Sequence, residues 1–251
     1  MRFANAHRAR IVNEGTVWLW HAASCDWQDA ELHARFADVL TVAERQRMGQ
    51  FLRPADRSLY LLAHGLLRRA LATAMARSPA DIDIRHQARG KPYVDGGPDF
   101  SLTHAASQGD AAAGAAVVAI CGGPVGVDVE SRARWTEIFE LVSSRFAWDE
   151  QAMLAGVAEQ ERRERMVWLW TAKEAVIKAT GDGLATPLRS VVMTWGDDGV
   201  LRTQGWWLTR IRLAGFVGTV ATRHAPAVIQ LSNELPGGPN AVPGAVLEIV
   251  G

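Results

Sequence analysis

Two carboxylates one residue apart open the case for chemistry in this sequence. In Pro124-Val125-Gly126-Val127-Asp128-Val129-Glu130 a strand period of two puts the valines on one face and Gly126, Asp128 and Glu130 on the other. The two acidic side chains then stand about 7 Å apart along the backbone and can converge on one ion. Hard oxygen ligands suit Mg²⁺, which takes one or two carboxylates and completes its shell with water and substrate phosphates. Taken alone, an Asp-x-Glu is better read as the exposed face of a strand. A second group changes that judgement. Trp170-Thr-Ala-Lys173-Glu174-Ala-Val-Ile-Lys178-Ala-Thr-Gly181 places Glu174 and Lys178 four apart, on one face of a helix. The pair is either a surface ion pair, worth about 0.2–0.5 kcal/mol, or a metal ligand or base beside a cation that neutralises phosphate.

Upstream lie Arg89-Gly90-Lys91-Pro92 and Asp99-Phe100-Ser101-Leu102-Thr103-His104. Thr103 and His104 follow a strand and can both donate to an anion. The basic residues comprise 24 arginines and three lysines, Lys91, Lys173 and Lys178. A lysine kept in such a chain marks a place where a compact ammonium is needed rather than a planar fork. From Glu44 to Arg89 nine arginines face four acidic residues, a local excess that a nucleotide phosphate would use.

The elements that must position these groups follow from periodicity. Thr16 to Ala22 reads as a strand, Trp27 to Phe51 as helical, and Ala55 to Ala76 as one long amphipathic helix. Short strands are expected at 81–85, 92–94, 100–103 and 115–120. The second half restarts with a strand at Val125 to Glu130, two helical stretches within 135–157 and a long helix over 162–180. It closes with strands at 189–195, 206–213 and 216–222. Each half runs strand, helices, long helix, strands, so the order points to two similar α+β subdomains without a residue-level repeat. We place the first at 1–122 and the second at 123–231. The Pro/Gly-rich segment 232–251 reads as a peripheral tail.

Bulk properties narrow the classes. Lys+Arg and Asp+Glu balance at 27 each, so no general field favours nucleic acid or an anionic membrane. The N-terminus lacks a secretory h-region, and the longest apolar run, Ala111 to Cys121, is too short for a membrane helix. Two cysteines, Cys25 and Cys121, make no disulfide framework. A soluble, cytoplasmic, monomeric protein is expected.

With these motifs in register, the sequence resembles the 4′-phosphopantetheinyl transferases of the surfactin-synthetase-activator type. The family pattern runs Gly-Lys-Pro, Phe-Asn-x-Ser-His, Gly-(Ile/Val)-Asp-(Ile/Val)-Glu and Trp-x-x-Lys-Glu-Ala-x-x-Lys-x-x-Gly. Gly90-Lys91-Pro92, Phe100 to His104, Gly126 to Glu130 and Trp170 to Gly181 follow it in order. Ser101 and Thr103 replace the usual Asn and Ser. The resemblance covers about Ala43 to Leu188. It implies a pseudodimeric α+β fold within one chain. It further implies transfer of the phosphopantetheine arm of coenzyme A, the co-substrate, to a serine of an apo acyl or peptidyl carrier protein, with release of 3′,5′-ADP. Asp128, Glu130 and Glu174 would hold Mg²⁺, with Mn²⁺ compatible, while Lys91, Thr103, His104 and Lys178 would hold phosphates. Arg47, and less directly Arg53 and Arg57, would take the 3′-phosphate, and Glu174 with Lys178 would carry the catalysis. Lys173 receives no role. Two other readings remain: a different metal-dependent phosphodiesterase, and a non-catalytic module binding CoA or a carrier protein.

Overall fold

A computed structural model describes residues 12–23, 29–107, 114–183, 186–196, 198–213, 215–232 and 247–250; Cys25 lies outside the described residues. The element order is β1 (Thr16–Ala23), α1 (Asp29–Phe36), α2 (Val42–Gly49), α3 (Pro54–Met75), β2 (Arg85–His86), β3 (Pro92–Tyr93), β4 (Asp99–Ala106) and β5 (Gly114–Cys121). It continues with β6 (Val125–Ser131), α4 (Trp135–Arg145), α5 (Trp148–Ala155), α6 (Glu159–Thr180), β7 (Met193–Trp195), β8 (Leu201–Thr203), β9 (Trp207–Leu213), β10 (Phe216–Thr222), β11 (Val228–Ser232) and β12 (Leu247–Val250). The α+β class expected from the sequence is the class observed.

Two four-stranded sheets, ordered β11-β1-β5-β4 and β12-β9-β10-β6, carry the fold. Alternation decides how they pack. In β1 and β5, Trp18, Trp20, Val118 and Ile120 turn towards α3, while Val17, Leu19, Val117 and Ala119 turn towards Val125, Val127 and Val129 of the second sheet. The far face of that sheet, through Leu208, Val217 and Ala221, meets α6. The layers are therefore helix, sheet, sheet, helix, and strands β5 and β6 are buried throughout. This corrects the bland reading of β6 as an exposed strand face.

The two sheets are joined at their edges by side chains. Asp99, Ser101 and Thr103, alternate residues of β4, accept the backbone N–H groups of Val125, Val127 and Val129 of β6 at 2.8, 3.1 and 3.3 Å. An edge strand's free donors are thus satisfied without a ladder. On the other side of β6, Gly126 lets α6 approach: a Cβ there would lie 1.9 Å from the Ala175 carbonyl oxygen.

Four boundaries differ from expectation. Of the strand expected at 81–85 only Arg85 is in a strand, β2, because Pro79–Asp81 form a 3₁₀ turn. The strand expected at 189–195 is a 3₁₀ turn over Leu188–Ser190 followed by β7. Strand β11, assigned by sequence to the second half, pairs in parallel with β1 of the first sheet. Within the expected tail, β12 pairs with β9 and buries Leu247. Neither pairing has a local signature, because each partner lies far away in sequence.

Helix α2 begins with a capping box, Thr41 and Glu44 bonding each other's backbone N–H. The Glu44 carboxylate also meets Arg68 at 2.6 Å and His64 at 3.7 Å. Burial opposes its charge, but His64, Arg68 and Thr41 outweigh it and hold the carboxyl down at about 2. A depressed folded-state value stabilises the fold above the unfolded carboxyl's 4.5, and that stability is lost as pH falls towards 2. We expect Glu44→Gln to lose on the order of 2 kcal/mol at pH 7, after allowance for partial exposure. Urea midpoints measured from pH 7 to pH 2 check this, since the two proteins should converge at the acid end.

Candidate active site

The facing edges of β4 and β6, covered by the last two turns of α6, bring together side chains from three motifs. Asp128 is buried. Its Oδ1 accepts the Lys178 ammonium at 2.6 Å and the Thr103 hydroxyl at 3.1 Å. Its Oδ2 is also buried and has no hydrogen-bond partner. A carboxylate oxygen left without a partner in a buried position carries a desolvation cost that an ion would relieve. Glu174 stands one helical turn before Lys178, close enough to Asp128 and Glu130 to feel both charges. Burial first, and those negative neighbours next, raise its carboxyl above the ordinary range, with Lys178 and Arg145 opposing. Burial and Asp128 likewise raise Glu130, against the pull of Arg134.

Glu130 is otherwise engaged. Both its oxygens accept from Arg134 Nη1, at 2.9 and 2.8 Å. Among the described residues, no three acidic, His or Cys side chains stand at the spacing of one ion. The donor set nevertheless fits a magnesium ion, which needs only one or two carboxylates and is completed by waters and phosphates. Asp128 offers a free oxygen, and Glu174 is its nearest uncommitted acidic neighbour.

Two expected phosphate holders are recast by the structure. The Lys91 side chain is 8% exposed, and its ammonium meets Asp99 at 2.6 Å, the Ala179 carbonyl at 3.0 Å and the Val125 carbonyl at 3.5 Å. With its donors taken, Lys91 fastens the β2–β3 hairpin to β4, to β6 and to the C-terminal end of α6, where a cation is favourable. Gly181, in the left-handed region at φ 77°, ends α6 over the Lys91 stem. Thr103 is buried, and its hydroxyl orients Asp128 while accepting the Val129 N–H. It faces the carboxylate rather than open space.

The remaining expected phosphate-binding residues sit on a basic face running away from the carboxylates. His104 is exposed; the surrounding protein, then His64 and Lys178, hold its imidazole low, at about 4, so it is neutral at pH 7. His64 stacks on Tyr60 at 4.0 Å, and Tyr60 touches Phe51. Arg47 lies over the Phe51 ring at 5.6 Å and donates to Gln50. Arg57 donates to the Phe51 carbonyl, and Arg53 is the exposed N-cap residue of α3. Sequence reasoning missed Tyr60 and Arg134. The spacing of Tyr60 and His64, four apart on α3, was the available signal for the first. Arg134 carried none, since its contact depends on the 3₁₀ turn over Arg132–Arg134.

Beside Glu174 a cavity of about 280 Å³ is lined by Arg89, Lys91, Phe100, Leu102, Glu174 and Lys178 among others. Glu174 also borders a second cavity, of about 180 Å³, with Arg145, Thr186 and Arg189 on its far wall. Glu174 alone of the three carboxylates borders both openings and can meet a reactant from either.

Lys173, which had no assigned role, is fully buried. Its ammonium meets Glu150 at 2.7 Å and the Leu188 carbonyl at 2.9 Å, and also reaches the Val191 carbonyl. Glu150 in turn accepts the Ala147 and Met193 N–H groups. All three lysines thus hold carboxylates, and two of them also hold clustered carbonyls, for which a tetrahedral ammonium is suited.

Comparison with known proteins agrees with this geometry. The family model described as the 4′-phosphopantetheinyl transferase superfamily matches residues 124–227. A Bacillus subtilis 4′-phosphopantetheinyl transferase is 28% identical over 167 residues, covering 66% of this chain and 70% of its own. The transferase HetI of Nostoc is 26% identical over 178 residues (67% and 70%), and Sfp of Bacillus subtilis is 26% identical over 171 residues (67% and 72%). Carrying the four motifs in order, with two of them meeting at the Asp128 and Lys178 contact, the chain is similar to the 4′-phosphopantetheinyl transferase superfamily over residues 124–227 and to relatives that include Sfp.

Proposed function

We propose that the chain transfers the 4′-phosphopantetheine group of coenzyme A to a serine of an apo carrier protein and releases 3′,5′-ADP. The observation that carries this reading is the buried, half-satisfied carboxylate of Asp128, set beside Glu174 and Lys178 at the end of a basic face. A phosphodiesterase would want the carboxylates but has no need of that face, and a binding module has no need of the carboxylates.

In this reading Asp128 and Glu174 would hold a magnesium ion, and Glu130, bonded to Arg134 in this structure, would be a third ligand. The ion supplies charge neutralisation at the pyrophosphate. Thr103 keeps Asp128 in its rotamer. Lys178, released from Asp128 as the site fills, meets the charge that grows on the departing phosphate. Glu174, directly or through water, takes the proton from the carrier serine. The serine oxygen bonds to the pantetheine-side phosphorus, and the bond from that phosphorus to the bridging oxygen breaks. That oxygen leaves with 3′,5′-ADP. The two cavities beside Glu174 give nucleotide and serine separate approaches. Positioning and electrostatics are what such a transfer mainly demands. The two-subdomain, pseudodimeric division belongs to this proposal, with the site at the seam between the sheets.

The experiment is the mass of an apo carrier protein after incubation with the chain, CoA and Mg²⁺. A gain of one phosphopantetheine supports the proposal, and unchanged mass across carriers of several pathway types overturns it. On the basic face, Arg47→Ala and His104→Ala are expected to weaken CoA about tenfold, the share of one charge-assisted contact. They should leave 3′-dephospho-CoA almost unaffected. Calorimetry with both ligands decides this; equal losses for both would remove these residues from the 3′-phosphate.

A further inference from the structure

We infer that the chain carries a second anion site, apart from the carboxylates, which takes a small phosphate-bearing molecule with a planar body. A cavity of about 400 Å³ opens where the N-terminal half of α6 crosses β9 and β10, bordered by Arg132, Trp135, Arg163, Glu164, Val167 and Arg210 among others. Its α6 residues lie seven or more positions before Glu174, about 10 Å or more along the helix. It shares no lining residue with either cavity at Glu174.

The charges in this cavity are not balanced. Arg132 is paired with Glu164 at 2.9 Å and Arg163 with Glu159. Arg210 has no carboxylate within ion-pair distance among the described residues, and its guanidinium lies over the Trp168 ring at 4.5 Å. Burial, then the nearby Arg212 and Arg132, depress its affinity for a proton, and Glu164 only partly compensates. The Nε–H groups of Arg163 and Arg210 are both buried without an acceptor. Guanidinium groups crowded together with unused donors cost stability unless something with acceptor oxygens joins them. A phosphate, which pairs with the fork of an arginine through two oxygens, is the anion whose geometry answers this.

The walls ask for more than an ion. The Arg163 guanidinium stacks on Trp135 at 3.9 Å, and Val167 and Val217 add apolar surface. The volume falls in the range of organic ligand sites. A planar ring beside Trp135 with its phosphate towards Arg210 would use both features. Adenosine 5′-monophosphate is the simplest probe of that class.

The test uses the whole chain, labelled with ¹⁵N at its tryptophans and free of magnesium, and follows the Trp135 indole N–H during titration. Assignment comes from Trp135→Phe. We expect saturable movement with adenosine 5′-monophosphate below about 1 mM, and weaker binding of inorganic phosphate. Arg163→Gln and Arg210→Gln should each weaken the nucleotide about tenfold or more, and Lys178→Ala should not. Arg163 lies on an outer helix face, so its variant remains informative if Arg210→Gln misfolds. No saturable movement up to about 10 mM, or loss with Lys178→Ala instead, overturns the site. Equal affinity for phosphate and nucleotide overturns the planar body. Displacement of the nucleotide by a glutamate-rich peptide at lower concentration would assign the surface to a protein partner and overturn the small-molecule reading. None of these outcomes depends on whether carrier proteins are modified.

Discussion

Asp128→Ala and Glu174→Ala are each expected to lower phosphopantetheine transfer about a thousandfold or more with the fold retained. A thousandfold corresponds to roughly 4 kcal/mol of barrier, the scale on which a preorganised charge acts in a site shielded from water. Asp128 provides the one buried carboxylate oxygen without a partner among the described residues, and Glu174 the neighbouring carboxyl. The fold should survive because what these carboxylates hold is local. Lys178, whose side chain is 31% exposed, can turn to solvent when Asp128 is removed, and Glu174 anchors no backbone hydrogen bond among those observed. Asp128→Asn is the sharper variant: it keeps the size and an acceptor but removes the charge, and it should lose as much as Ala does. Glu130→Gln should lose less, since Arg134 already occupies both of its oxygens. Carrier mass gain measures activity, and circular dichroism with thermal melting measures the fold. Full activity in Asp128→Asn would show that the charge is not what this residue contributes.

Lys173→Ala should produce the largest loss of stability of any single substitution outside the apolar core, about 3–5 kcal/mol. Removing the ammonium strands the Glu150 carboxylate in a wholly buried position, takes the Lys173 donor from the Val191 carbonyl, and leaves the Leu188 carbonyl with the Val191 N–H at 3.3 Å. Burial already lowers the Lys173 ammonium's hold on its proton, and Glu150 works against that shift. Breaking such a pair from one side costs more than removing both charges. The double variant Lys173→Met, Glu150→Gln should therefore be more stable than Lys173→Ala alone. Denaturant midpoints give the comparison, and the single variant should melt roughly 10 °C or more below the parent protein. Lys173 borders neither cavity beside Glu174. Its variants should keep near-normal transfer at low temperature, which separates a structural lysine from a catalytic one. A variant as stable as the parent but inactive would reverse that assignment.

Much of this protein was legible in the sequence because period and motif are local properties. The valine alternation around Asp128 announced both the strand and its buried face, and the four-residue spacing of Glu174 and Lys178 announced the helix face they share. The scarcity of lysine was a sound signal too, although it pointed to crowded oxygen acceptors more often than to phosphates. Tertiary structure alone decided the rest, wherever the partner of a group lies far along the chain. Lys91 looked like a phosphate holder until Asp99 and the end of α6 closed around it. Thr103 looked like an anion donor until β6 came within reach of its hydroxyl. Glu130 and Arg134 are four apart in sequence, yet a 3₁₀ turn had to follow the strand before they could pair. Strands β11 and β12 pair with β1 and β9, both distant along the chain. A side chain's type and its place on an element follow from nearby residues. What its donors and acceptors meet depends on which distant backbone packs against them, and no spacing along the chain encodes that.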